Sequence, residues 1–333
     1  MRNFDSRRET SQRHPKSKTQ HPKFSIGIDL GSNTLRAVKR DCEAGRFVAE
    51  YEKIVRTADG LESTGKISDA AVERIVESLN EAREAVGFED AKLRAVTTEA
   101  MRRASNREEM LRRIEEATGV RFELIDAAQE AELTLRAVEG RLRILGERSD
   151  SFVLVDIGGG STELTFVRGE RMVSRSFPVG IVTMAQKYSD LASLRQALPR
   201  ETEAMQEFAG KAERLQGRPE RFVATAGTPT TVAALKLGMD YRSYDAARVN
   251  GTLLNRSDLE ATLRRLLSMS PKERERAVGV GRADLISAGI LIFDRLFEIL
   301  GFESCLVIDD GLREGVALEL CDESVSGEDA DQL

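Results

Sequence analysis

Two stretches of the chain share one pattern of apolar and polar positions. Residues 24–38 are FSIGIDLGSNTLRAV and residues 153–167 are VLVDIGGGSTELTFV. In each, a run rich in Ile, Leu and Val reaches an Asp, passes through a Gly-rich turn and then resumes apolar and polar alternation. The pattern predicts two β-hairpins, each with a carboxylate near its tip.

Helix and strand patterns alternate after the first hairpin. Ser68 is a favourable N-cap for an amphipathic helix that Gly87 ends. Residues 93–96 form a short apolar run that predicts a buried strand, and a single helix is predicted over 97–119. A further strand at 120–125 precedes another helix.

The second hairpin is followed by a similar alternation. A short strand is predicted at 222–225, and the small residues after it open a helix. Residues 279–301 include a strongly apolar helix that we expect to form the core of this half. A strand at 304–309 and a turn at Gly311 lead into the terminal helix.

The repeated order predicts an α/β protein of two domains, since 333 residues are enough for two ordinary cores. We expect the domains at 24–145 and 146–322. The N-terminal 1–23 is predicted to be a disordered basic tail, and 323–333 a frayed acidic end.

Composition excludes several classes of protein. The chain is 41% hydrophobic and 32% charged, and it has no apolar run long enough to span a bilayer, so a membrane protein is not expected. A net charge of -6 argues against a general nucleic-acid binder. Both histidines, His14 and His21, lie in the N-terminal tail. A catalytic mechanism or metal site that depends on histidine is therefore not expected in the folded body.

The three cysteines, Cys42, Cys305 and Cys321, are far apart in sequence and show no metal-ligand spacing. We expect no secretory signal before the body of the chain. These observations predict a protein of the reducing cytoplasm.

The turns of both hairpins are suited to phosphate. Gly31 in the first turn, and Gly158, Gly159 and Gly160 in the second, permit a close backbone approach that a Cβ would prevent. Exposed N–H groups of such turns can cradle a phosphate. One Gly-rich turn alone is more often a simple hairpin connection, but two copies about one domain length apart favour a shared phosphate site.

The residues beside the turns extend this chemistry. Asp29 and Asp156 lie where a hard cation bridging carboxylate and phosphate would sit, and Ser32 and Ser161 add hydroxyl groups.

Three predicted helix starts are further candidates. Thr98 and Arg102 could bind an anion at one helix N-terminus, although an Arg at such a position is commonly just solvated. Gly227 and Thr228 could do so at another, where the alternative is a simple capped helix start. Glu130 in the first turn of its helix could likewise serve only to complement the helix dipole.

The ordered motifs resemble the exopolyphosphatase and guanosine pentaphosphate phosphohydrolase (Ppx/GppA) family over residues 24–320. The motifs are IGIDLGSNTLRAV, GLESTGKIS, VTTEAMRRASN, VDIGGGSTELTFV, AGTPTTVAAL, GRADLISAG and IDDGLREG. The resemblance implies two duplicated ribonuclease-H-like domains of the actin, Hsp70 and sugar-kinase superfamily, facing a central cleft. It also implies the short, two-domain form and a homodimer.

The resemblance assigns roles to residues. Glu130 matches the general base for the attacking water, Glu163 a second catalytic carboxylate, and Asp156 a metal ligand, with Asp29 facing it. The metal would be Mg²⁺, or Mn²⁺ in its place. The phosphate-binding residues would be Ser32, Asn33, Thr98, Arg102, Gly158, Gly159, Ser161, Gly227 and Thr228.

The function expected from this resemblance is hydrolysis of the terminal phosphate of inorganic polyphosphate. The alternatives are hydrolysis of guanosine pentaphosphate and a non-catalytic sensor of alarmone or polyphosphate. A kinase of the same superfamily is less favoured, because Glu130 and the GLREG segment match the phosphatase branch.

Two departures from the family pattern bear on these expectations. The segment DAAQEA has Ala127 and Gln129 where glycine and glutamate are usual, so we expect less mutual repulsion and a less raised pKa at Glu130. Ile308 and Asp310 replace a common Ser and Arg, which puts the substrate preference in question.

Overall fold

The structure is a computed structural model that describes residues 22–326. Most of the predicted basic tail, with both histidines, lies outside the described residues, as does the chain beyond 326. The acidic end predicted from 323 begins inside the terminal helix, which continues to Ser326.

The first half is a five-stranded sheet with helices after its strands. Strand order is β3-β2-β1-β4-β5, with β1, β2 and β3 antiparallel and β4 and β5 parallel to β1. The strands are β1 Phe24–Leu30, β2 Thr34–Asp41, β3 Arg46–Ile54, β4 Ala91–Thr97 and β5 Phe122–Leu124. The helices are α1 Leu61–Thr64, α2 Asp69–Val86, α3 Glu99–Arg103, α4 Arg107–Thr118 and α5 Ala127–Ile144.

The second half is built on a six-stranded sheet. The strands are β6 Ser151–Ile157, β7 Thr162–Arg168, β8 Arg171–Phe177, β9 Phe222–Thr225, β10 Thr252–Asn255 and β11 Ser304–Val307, in the order β10-β11-β9-β6-β7-β8. The helices are α6 Ile181–Lys187, α7 Leu191–Glu201, α8 Glu203–Gln216, α9 Gly227–Lys236, α10 Ala246–Val249, α11 Arg256–Ser268, α12 Pro271–Val278 and α13 Ile286–Leu300, followed by the terminal α14 Leu312–Ser326.

The two sheets repeat one topology, which confirms the predicted duplicated fold. Each begins with three antiparallel strands and continues with parallel strands on the other side of the first. Both predicted hairpins are present as β1–β2 and β6–β7. The extra strand β10 pairs antiparallel with β11 at the edge of the second sheet.

Local sequence signals account for the boundaries of α2. The Ser68 side chain accepts a hydrogen bond from the Ala71 N–H, and Gly87 follows the last residue with φ 69°. This capping was predicted, and it satisfies one of the N–H groups that a helix start leaves without a partner.

The prediction of a single helix over 97–119 was wrong, because the chain forms two helices, α3 and α4, with a break between them. Asn106 lies in the break and bonds the backbone of Ile67 twice, accepting from its N–H and donating to its carbonyl, both at 2.9 Å. A side chain that bonds a distant backbone segment in this way competes with continued helix.

The terminal helix α14 returns from the second half to pack on the first sheet and on α5. A Cβ on Gly27 of β1 would lie 2.1 Å from the Arg313 carbonyl oxygen, and a Cβ on Gly315 would lie 1.9 Å from that of Leu133. The two glycines therefore let the backbones approach closely. The division of the chain at residue 145 stays a prediction, but α14 packs against the half that precedes this division.

A disulfide holds the end of this returning helix. Cys42, just after β2, is bonded to Cys321 of α14, and Cys305 is buried and free. The sequence offered no signal for this pair, because the two cysteines are 279 positions apart and meet only through the return of α14. The reducing cytoplasm expected from the cysteine spacing stays a prediction, and the disulfide argues against it.

The apolar helix α13 forms the centre of the second half, as predicted. Eleven of its residues are buried, and Phe293 and Phe297 pack edge-on against Phe222 of β9 with ring centroids 5.9 and 5.0 Å apart. Within residues 22–326, no helix is long and apolar enough to cross a membrane.

Candidate active site

The turns of the two hairpins face each other across a cleft between the halves. A Cβ on Gly159 would lie 2.9 Å from the Cβ of Ser32, and a Cβ on Gly160 would lie 2.8 Å from the Ser32 hydroxyl oxygen. Side chains at these two positions would push the turns apart. The predicted glycine turns thus meet at one site.

The second turn is held by the start of α6. The carbonyl groups of Gly158 and Gly159 accept hydrogen bonds from the N–H groups of Ile181 and Val182, at 3.1 and 2.8 Å. With its carbonyl groups engaged by α6, the turn can present N–H groups to the cleft, the arrangement that binds phosphate oxygens.

Two partly buried aspartates lie at the ends of the hairpin strands. Burial raises the pKa of Asp29 to about 6; Arg36 opposes this, and the nearby Asp156 adds to it. Burial likewise raises the pKa of Asp156 to about 6, opposed by Arg36. Oδ1 of Asp29 is buried and accepts no hydrogen bond from any described residue.

These carboxylates fit the predicted divalent cation, although no metal-binding group of three or more Asp, Glu, Cys or His side chains forms within residues 22–326. A buried carboxylate oxygen without a donor, next to a second carboxylate, is a site that a hard cation would satisfy. Mg²⁺ commonly binds through one or two carboxylates and takes its other ligands from water and substrate phosphate. Asp29 and Asp156 are sufficient for that mode of binding.

Glu163 lies opposite Asp156 in the register of β6 and β7. Its Oε1 accepts hydrogen bonds from Ser161 at 2.7 Å and from Ser176 at 2.6 Å. Burial, and then the charge of Asp156, raise the pKa of Glu163 to about 7 despite these donors. The side chain is held in one orientation and titrates near neutral pH.

Glu130, the predicted general base, lines the cleft from the first turn of α5. Arg102 donates to its Oε2 at 2.9 Å and also binds Glu99 and the Ile125 carbonyl. Burial, followed by the charge of Glu163, raises the pKa of Glu130 well above its usual value, and Arg102 only partly opposes this. Arg102 therefore orients the glutamate.

Gln129, which departs from the family pattern, has a structural use that a glutamate could also serve. Its Oε1 accepts from the Asp126 N–H at 3.1 Å while Asp126 accepts from the Gln129 N–H at 2.9 Å, which completes a capping box at the start of α5. The cap fixes the first turn that carries Glu130. The expectation that the pKa of Glu130 is less raised than in relatives with a glutamate at position 129 stays a prediction.

The start of α9 forms another wall. Gly227 lines the cleft, whereas Thr228 is buried and packs against Gly289 of α13. Ala226, which precedes α9, has φ 73° and ψ −178°, a region occupied almost only by glycine. The cleft wall therefore contains a strained residue.

The cleft brings together most of the predicted site residues. Those that line it are Asp29, Ser32, Asn33, Thr98, Glu130, Asp156, Gly158, Gly159, Ser161 and Gly227. Arg102 and Glu163 lie behind this lining and contact it, and Thr228 is directed into the core.

The sequence reasoning missed three charged residues of the cleft lining. They are Arg36, Glu99 and Arg282. Arg36 occupies the strand position opposite Asp29, so strand alternation together with the hairpin register could have identified it. Arg282 stood in a quoted motif, but its position over Gly227 depends on tertiary packing.

Asp310, the second departure, is not part of the lining. Arg141 of α5 binds both its carboxylate oxygens, at 2.6 and 3.0 Å, behind the cleft. In this chain the residue joins α5 to the turn before α14.

Known proteins of similar sequence point to one family. A sequence profile described as the Ppx/GppA phosphatase family matches residues 38–324. Exopolyphosphatase 2 of Mycobacterium tuberculosis is 30% identical over 314 residues, which cover 88% of this chain and 97% of that protein.

Solved structures have the same fold. An exopolyphosphatase from Cytophaga hutchinsonii aligns with a TM-score of 0.78 at 22% identity, over 90% of this chain and 98% of that one. The Aquifex aeolicus member of the Ppx/GppA family aligns with a TM-score of 0.66 at 28% identity, over 92% and 98%. The profile match over most of the chain confirms the resemblance found in the motifs, and the chain belongs to the Ppx/GppA phosphatase family.

Proposed function

We propose that the protein is an exopolyphosphatase, which releases the terminal phosphate of inorganic polyphosphate by attack of water. The observation that carries the proposal is the presence in one cleft of two opposed glycine turns and Glu130, a partly buried glutamate with a raised pKa. Phosphoryl transfer needs a held phosphate, a positioned water and a proton acceptor, and these groups are suited to supply them. Relatives named exopolyphosphatase support the same substrate.

In the proposed reaction, the terminal phosphate lies against the N–H groups of the second turn, with Ser32 and Thr98 as further donors. Arg102 engages Oε2 of Glu130, so Oε1 remains to accept a proton from water. The water oxygen bonds to phosphorus as the bond to the bridging oxygen breaks. The products are orthophosphate and a chain shorter by one phosphate, with the water proton on Glu130.

Asp29 and Asp156 would hold the divalent cation, which would neutralise charge on the phosphate oxygens. Glu163 lies beside Asp156 and raises the pKa of Glu130, so its proposed part is to tune the base. The four carboxylates, of which Glu163 is buried and the other three are partly buried, favour an enzyme over a sensor, because burying acidic groups is costly for a protein that only binds a polyanion.

The test is phosphate release with Mg²⁺ from long-chain polyphosphate, tripolyphosphate and guanosine pentaphosphate. We expect release from polyphosphate, and Glu130→Gln should lower its rate by ~100-fold or more while binding persists. Glu132→Gln is the matched control, because it makes the same change at an exposed position on the same helix.

The outcomes separate the candidate functions. Preference for guanosine pentaphosphate would replace the proposed substrate, and binding without release would indicate a sensor. A normal rate for Glu130→Gln would remove Glu130 as the base. The homodimer and the cytoplasmic location stay predictions, to be tested by size-exclusion chromatography and by fractionation of cells.

A further inference from the structure

A line of alternating charges crosses the first sheet beside the cleft. Asp29 on β1 is the register partner of Arg36 on β2, and Arg36 is the register partner of Glu52 on β3. Arg282, from the loop before α13 in the second half, then binds Glu52. The line thus joins the cation-binding carboxylate of one half to an arginine of the other.

Glu52 contacts both arginines at the same time. Its Oε2 lies 2.9 Å from Arg36 Nε, and its Oε1 accepts a hydrogen bond of 2.6 Å from Arg282 Nη2. The side chains are largely buried, with 15% of Arg36, 26% of Glu52 and 10% of Arg282 exposed. Both arginines line the cleft and Glu52 does not, so the carboxylate lies behind the two guanidinium groups.

The chain before Arg282 is shaped to permit this contact. Gly281 has φ 83°, and a Cβ on it would lie 2.9 Å from Ile54 Cγ2 and 2.9 Å from Arg56 Nε. The loop of the second half therefore lies directly on the end of β3, where only glycine fits. Arg282 is delivered onto Glu52 by this close approach.

Glu52 also remains ionised. Burial alone would raise its pKa, but Arg36, Arg282 and Arg313 outweigh burial and lower the pKa to about 2. Without this carboxylate, like-charged guanidinium groups from opposite halves would face each other with no common counter-ion.

We propose that Glu52 is a positioning residue that holds Arg36 and Arg282, one from each half, as a preorganised pair for the anionic substrate. The proposal rests on the proposed function, because it takes a phosphate chain as the ligand of the cleft. Preorganisation lowers the cost of ordering two long side chains when the anion binds. The carboxylate itself touches no substrate.

The test measures binding of inorganic tripolyphosphate by calorimetry in the Glu130→Gln background, in which turnover is blocked. Adding Glu52→Gln should raise the Kd about tenfold, which corresponds to ~1.4 kcal/mol. In the otherwise native chain, KM should rise with kcat little changed, since the lost interaction positions binding groups. Glu50→Gln is the control, because it makes the same change two residues away on β3, at a side chain that is 59% exposed and pairs with Arg313 rather than with Arg36 or Arg282.

A purely structural role would lower the melting temperature of Glu52→Gln and leave the Kd unchanged, and that result overturns the proposal. A lower Kd also overturns it, because Glu52 would then compete with the substrate. If Glu52→Gln does not fold, Glu52→Asp replaces it in the test. Its shorter side chain should raise the Kd about threefold. An unchanged Kd would overturn the proposal. Absence of tripolyphosphate binding in every variant would instead refute the proposed function, and this inference with it.

Discussion

Replacing Asp29 by asparagine should stabilise the fold while removing activity. The carboxylate is partly buried near Asp156, with its Oδ1 buried, and burial raises its pKa from 3.8 to about 6. A raised pKa means that the charged form is less stable in the folded protein than in the unfolded chain. Asn keeps the shape of the side chain and removes the charge.

The magnitude follows from the shift, since each pKa unit corresponds to ~1.4 kcal/mol. The change from 3.8 to about 6 gives up to ~3 kcal/mol of destabilisation in the wild type. Below about pH 4 both states are protonated and the effect is absent. Between pH 4 and 6 the unfolded chain releases the proton while the folded protein keeps it, so wild-type stability falls as pH rises and levels off above 6.

The assay is urea unfolding of both proteins from pH 4 to 8 in the presence of a chelator. The advantage of Asp29→Asn should grow with pH and become constant above about 6, and Mg²⁺ should stabilise the wild type alone. Asp59→Asn, at a side chain 58% exposed, is the control and should change stability by less than ~0.5 kcal/mol. A variant that is less stable at pH 8, or equally stabilised at every pH, would refute the reasoning.

Three further predictions concern features outside the carboxylates. Reduction of the Cys42–Cys321 disulfide, or Cys42→Ser, should lower the melting temperature. The bond joins residues 279 positions apart, and closing so long a loop in the unfolded chain can stabilise the folded state by up to ~5 kcal/mol. Equal melting temperatures with and without a thiol reductant would contradict this. Gln129→Glu should keep phosphate release within about twofold, because glutamate also completes a capping box, and a larger change would show that position 129 acts on the chemistry. Ala226→Gly should stabilise the protein to urea by ~1 kcal/mol, because φ 73° suits glycine, and a loss of stability would argue against strain there.

Much of the fold could be predicted because its signals are local. The hairpins follow from alternation and glycine turns, and α2 follows from Ser68 and Gly87, which act within a few residues of themselves. The break between α3 and α4 could not be predicted in this way, because its cause is the contact of Asn106 with Ile67. Helix propensity alone does not include such a partner.

The same distinction divides the site. Glu130 and Asp156 were found from motifs carried by one segment each, and both line the cleft. The contact of Glu52 with Arg282 and the disulfide at Cys42 each join segments more than 200 residues apart. No spacing along the chain encodes such a pair, so only the packing of the two halves shows it.

The duplicated topology gives the cleft opposite charges at equivalent positions. In the first hairpin the register partner of Asp29 is Arg36, and in the second the register partner of Asp156 is Glu163. Each partner follows its aspartate at the same distance in sequence. The same strand position therefore holds the guanidinium of Arg36 in the first half and the carboxylate of Glu163 in the second. Arg36 lowers the pKa of both aspartates, whereas Glu163 raises the pKa of Glu130. Exchange of charge at this single repeated position therefore makes the two hairpins unlike: the first carries a guanidinium that lowers the pKa of both aspartates, and the second carries a carboxylate that raises the pKa of Glu130.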